Sequence, residues 1–188
     1  MRNLIDLSRR ARSAKPAGAL KFLLLAAVGG LALTASPENA AARNIVSISP
    51  SVAPGTIVIS AGKRRLFYVV DTGVAISYPV AVPKRGKEWS GETSVDGKYV
   101  NPDWVPPAVV KADHPELPNF IPGGSPRNPM GVRALTLSQG EVAIHGTTHK
   151  MRASIGTAAS YGCIRMLNED VSDLYDRVSV GAPVMMTR

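Results

Sequence analysis

The chain has 188 residues, short for more than one domain, and 45% of them are hydrophobic, enough for one packed core. Its net charge is +8, but no lysine/arginine stripe is interleaved with aromatics, so nucleic acid is not the expected partner. One cysteine, Cys163, excludes an internal disulfide and leaves an inert thiol, an intermolecular link or a reactive group.

Residues 1–42 read as a secretory signal rather than as fold. Arg2, Arg9, Arg10, Arg12, Lys15 and Lys21 make a basic start, Phe22 to Leu33 is an uncharged apolar run, and small residues follow. Twelve apolar residues are short of the roughly 20 that span a bilayer. Ala40 and Ala42 form an Ala-x-Ala site, so cleavage is expected before Arg43, with an uncleaved membrane anchor as the alternative. Removing this segment takes six basic and two acidic residues and leaves 146 residues with net charge +4. That mild surplus suits anionic cell-envelope polymers and equally suits ordinary solubility.

Residues 43–55 form a lead-in containing proline, serine and glycine. Thr56–Ser60, Arg65–Val70 and Ala75–Val82 are rich in β-branched and aromatic residues and predict consecutive strands with tight turns between them. Pro79 marks the third as an edge or a bend. Residues 83–131 carry nine prolines and several glycines, which predicts a long irregular region. Trp89, Tyr99, Trp104 and Phe120 argue that it is ordered, and an ordered loop of this length can wall a substrate groove. Arg133–Leu137 and Glu141–Ile144 flank Gly140 as a hairpin. In 168–178, Val171, Leu174, Tyr175 and Val178 make one apolar helical face, with Asn168 as N-cap and Gly181 and Pro183 beyond the end. Val184–Met186 is a last strand. The fold class is mainly β, a sandwich or half-barrel, with one helix in the C-terminal region and long irregular loops.

Chemistry concentrates in 144–167. His145 ends a predicted strand, and Cys163 follows eighteen residues later behind Gly162. A cysteine attacks as thiolate, and an imidazole in reach makes thiolate available. Gly146 and Gly162 let backbone approach a substrate, and N–H groups near Gly162 and Cys163 can face a developing oxyanion. His145 and His149 are four apart, as zinc ligands on a helix are, but Gly146, Thr147 and Thr148 are poor helix formers.

The segment Ser160-Tyr161-Gly162-Cys163-Ile164-Arg165-Met166 resembles the signature of the L,D-transpeptidases, the YkuD-type catalytic domain. Asn101–Pro107 (NPDWVPP), Pro122-Gly123-Gly124 with Asn128–Gly131, and Leu167–Val171 (LNEDV) are similar to further motifs of that family, in order, across residues 55–188. The resemblance implies Cys163 as nucleophile and His145 as proton acceptor and donor. It also implies that the Gly146 carbonyl orients the imidazole. Gly162, with Tyr161 beside it, would serve the oxyanion. Ser160 and Arg165 would be supporting or substrate-binding positions. Tyr161 stands where the family commonly has histidine. The implied reaction is acyl transfer on peptidoglycan stem peptides in the periplasm or cell envelope. Cys163 attacks the third residue's carbonyl, D-alanine leaves, and an amine resolves the thioester. That amine belongs to a second stem peptide or an envelope protein. The resemblance implies no metal or organic cofactor, and it implies carbapenems as acylating agents. The alternatives are an L,D-carboxypeptidase and a non-catalytic envelope-binding module of the same fold.

Overall fold

The computed structural model describes residues 43–188; the signal segment expected over 1–42 lies outside the described residues. Eleven strands and two α-helices follow in chain order. They are β1 Asn44–Ser47, β2 Ile57–Ser60, β3 Arg65–Asp71, β4 Val74–Pro79, β5 Val82–Pro83, β6 Gly91–Val100, α1 Ala108–Asp113, β7 Arg133–Leu137, β8 Ala143–His145, β9 Ala158–Ser160, β10 Ile164–Arg165, α2 Asn168–Arg177 and β11 Pro183–Thr187. A single 3-10 helix, His149–Ser154, lies between β8 and β9.

Nine strands make one sheet in the order β1-β4-β3-β2-β11-β6-β7-β8-β10, and β5 pairs with β9 apart from it. The β2–β3–β4 meander is antiparallel, as its short connecting turns require. Ile57, Ile59 and Leu66 point to one face and are fully buried. β6 joins the two halves of the sheet. Its first residues pair with β11 and its later ones with β7, with a register shift between Val95 and Gly97. A bulge bends a strand and raises its twist, which lets one strand serve two differently oriented halves. The result is the expected β-rich sandwich or half-barrel class. α2 lies on β7 and β8. It buries Val171 and Leu174, worth roughly 1.5–3 kcal/mol each.

Four expectations need correcting. The lead-in contains β1, which pairs antiparallel with β4, so β4 is not an edge and Pro79 only ends it. The region expected to be irregular contains β6, the longest strand, and α1. α2 is therefore not the only helix; α1 and the 3-10 turn join it. Asn168 is the first helical residue and not the N-cap, which is Leu167.

Candidate active site

The register of two short strands brings the chemistry together. β10 runs parallel to β8, with Ile164 beside Ile144 and Arg165 beside His145. Ile144 and Ile164 both point into the core and are fully buried. Alternation therefore turns His145, Arg165 and Cys163, which immediately precedes β10, to the opposite face. That face opens into a cleft of about 550 Å³, lined by His145, Ser160, Tyr161, Cys163 and Arg165 among others. The long excursion between β6 and β7 supplies the facing wall through Trp104, Val109, Val110, His114 and Leu117. A bridge between Trp104 and Ile121 closes its base.

His145 is buried, and its Nδ1 lies 2.8 Å from the carbonyl oxygen of Gly146. A carbonyl only accepts, so Nδ1 carries the proton and Nε2 is the basic nitrogen of the neutral ring. Burial pushes the imidazole pKa down to about 4; the Arg165 guanidinium adds to this, and the carbonyls of Gly146 and Pro129 oppose it. Burial also pushes the Cys163 thiol up, against a lowering from a backbone hydrogen bond at Ala143 and from Arg165. Its Sγ lies 3.7 Å from the Glu141 carbonyl oxygen. Both shifts favour the uncharged forms. Burial thus works against charge on either group, while Arg165 works in favour of a thiolate at Cys163.

The turn before Cys163 is tightly held. Gly162 has φ 138°, a conformation that L side chains rarely adopt. Its carbonyl accepts from Trp89 Nε1 at 2.9 Å, and its N–H makes only a long bond, 3.4 Å, to Ser160 Oγ. The buried Ser160 hydroxyl donates to the Cys163 carbonyl. The Tyr161 hydroxyl donates to Asp113 Oδ2 on α1 at 2.8 Å, and Lys84 Nζ sits 3.6 Å from its ring centroid. Tyr161 thus ties the cysteine turn to the facing wall. Arg165 donates from Nη1 to Ser154 Oγ at 2.6 Å, while its buried Nε has no protein partner. Among the described residues no three of His, Cys, Asp and Glu are grouped to hold a metal ion.

Two residues of this neighbourhood have no role at the site in the sequence analysis, where Asn168 is only a helix cap. Trp89 enters from the region taken as irregular; its only signal there was an aromatic side chain in a polar stretch. Asn168 turns its amide to Thr147, with Oδ1 accepting from Thr147 N–H at 2.9 Å and Nδ2 donating to the Thr147 carbonyl at 3.0 Å.

Fold and cleft define a β-rich domain that presents one cysteine and one histidine on adjoining parallel strands. Residues 54–186 match the L,D-transpeptidase catalytic domain family YkuD, and the chain belongs to that family. It is 35% identical over 142 residues to "Probable L,D-transpeptidase YbiS" of Escherichia coli, covering 71% of this chain and 44% of that protein. The chain thus spans less than half the length of that curated relative. An L,D-transpeptidase from Mycobacterium smegmatis superposes with TM-score 0.57 at 21% identity, over 71% of this chain and 58% of that one, a likeness of fold. A Brucella melitensis chain described as "Probable carnitine operon oxidoreductase caia" is 40% identical with TM-score 0.51, over 74% of this chain and 89% of that one.

Proposed function

We propose that this chain is an exported L,D-transpeptidase that uses Cys163 and His145 for acyl transfer on peptidoglycan stem peptides. The observation that carries this reading is the β8–β10 register, which sets imidazole and thiol on one face of a single cleft. Substrate binding excludes water, and Sγ–H gives its proton to His145 Nε2 as sulfur attacks the carbonyl carbon of the third stem residue. Backbone N–H groups at Gly162 and Cys163 receive the developing oxyanion. The bond to the D-alanine nitrogen breaks, that nitrogen takes the proton from the imidazolium, and a thioester remains on Cys163.

An amine then attacks the thioester. It passes its proton to His145, the carbon–sulfur bond breaks, and the thiol is regenerated. A second stem peptide as acceptor gives a 3-3 cross-link, and a protein amine gives anchoring to the wall. Burial favours the neutral ring of His145, which leaves Nε2 able to accept a proton. The Arg165 guanidinium lines the cleft and is shaped for a substrate carboxylate. The name of the Brucella chain points to redox chemistry. A dithiol couple is closed to this chain, which has one cysteine.

Incubation with a tetrapeptide-stem muropeptide tests the proposal. Released D-alanine and a dimer linked between third residues are expected from the wild type, with neither from Cys163→Ala. Equal D-alanine release by Cys163→Ala refutes it.

A further inference from the structure

The mechanism above uses Cys163 and His145, whose Nδ1 is held by the Gly146 carbonyl, and leaves Asn168 without a role. Asn168 opens α2 but caps nothing there, since the N-cap is Leu167 and has no side-chain bond. Its amide spans Thr147 instead, accepting from the N–H at 2.9 Å and donating to the carbonyl at 3.0 Å. A flipped amide would set NH₂ against N–H and oxygen against oxygen, so the two bonds fix its orientation.

The Thr147 N–H and the Gly146 C=O belong to the same peptide group. That group is planar and trans, so its N–H and C=O point in opposite directions and turn as one body. Holding the N–H therefore aims the carbonyl, and that carbonyl accepts the Nδ1–H of His145 at 2.8 Å. The surrounding chain is shaped for this amide. A Cβ built on Gly146 or on Gly131 would lie within 3.0 Å of Asn168 Oδ1. Both positions thus need glycine while the amide stays where it is.

We propose that Asn168 is a positioning residue for the base: through the Gly146–Thr147 peptide it fixes the tautomer and ring plane of His145. It fills the place that an orienting side chain takes in a nucleophile–base–orienter triad, acting across one backbone peptide. The inference rests on His145 being the base.

The test is the rate of Cys163 acylation by a carbapenem, read by intact mass on the purified protein, together with the His145 tautomer read by ¹⁵N NMR. Asn168→Ala is expected to slow acylation by roughly 10–100-fold, the usual effect of losing an outer-shell orienting partner. The Nδ1–H tautomer gives way to a mixture. Asn168→Asp keeps an acceptor for the Thr147 N–H and is expected to fall between wild type and Asn168→Ala, which keeps the test open if the alanine variant folds poorly. In a His145→Ala background, adding Asn168→Ala is expected to change the rate less than about twofold, because residues acting through one another are not additive. The same loss in both backgrounds, or an unchanged tautomer in Asn168→Ala, overturns the inference. A crippled His145→Ala beside an unaffected Asn168→Ala overturns it alone. A His145→Ala variant acylating at the wild-type rate overturns the base assignment and this inference with it.

Discussion

Replacing Gly131 by alanine tests whether the loop after the Pro122-Gly123-Gly124 motif is built around the histidine turn. Gly131 has φ +67°, and a Cβ there would fall within 3.0 Å of Asn168 Oδ1, Thr147 N and Gly146 C. Two of those atoms are backbone and cannot rotate away. The left-handed conformation costs a Cβ-bearing residue roughly 1–2 kcal/mol. Forcing the neighbours apart adds about 1–3 kcal/mol, the usual range for overpacking. The expected loss is about 2–5 kcal/mol, a large share of a domain's roughly 5–15 kcal/mol. Gly55 is the control: its φ is +86° and a Cβ there meets nothing within 4 Å, so Gly55→Ala carries only the conformational cost. Equilibrium unfolding in urea, comparing midpoints at constant slope, reads both. Equal losses for Gly131→Ala and Gly55→Ala would refute the packing argument. A Gly131→Ala variant within about 0.5 kcal/mol of wild type would refute the backbone argument too.

Asp170, ion-paired to Arg43 at 3.1 Å, has its pKa raised to about 6, mainly by burial, with Arg43 opposing. A group raised on folding contributes stability below its unfolded pKa of 3.8 and loses it as pH rises through 6. Relative to wild type, Asp170→Asn is therefore expected to gain about 2 kcal/mol between pH 4 and 6.5 in denaturant titrations, and a pH-independent difference would contradict the burial argument. Trp89→Phe removes the donor to the Gly162 carbonyl. It is expected to cost roughly 1–3 kcal/mol and to slow Cys163 alkylation by iodoacetamide. Unchanged stability and rate would mean the indole does not hold the cysteine turn.

The β-rich class was legible because β2, β3 and β4 carry β-branched and aromatic runs bounded by turn residues. β6 escaped because its composition, GETSVDGKYV, is polar and interrupted by glycine, and it was averaged into the proline-rich stretch around it. Residues 84–101 hold no proline at all, and that was the available signal. β1 is exposed along most of its length and is a strand only because β4 offers an edge. At the site, Cys163, His145, Ser160, Tyr161 and Arg165 were readable from one contiguous motif region. The Trp89 and Asn168 contacts were not, because each depends on which backbone group a distant side chain meets. Asn168 shows why helix-start chemistry misleads: the residue type fits an N-cap, yet its amide satisfies a neighbouring turn. The push of burial against charge on the thiol and the imidazole was equally hidden, since it depends on the packed cleft.

Acylation of Cys163 can be read by intact-mass spectrometry of the purified protein after incubation with a carbapenem, comparing wild type, His145→Ala and Cys163→Ala. A single added acyl mass is expected on wild type, mapped to the peptide containing Cys163. A much slower adduct is expected on His145→Ala and none on Cys163→Ala. Folded wild type without an adduct, or an adduct that persists in Cys163→Ala, would contradict an acyl-enzyme at Cys163.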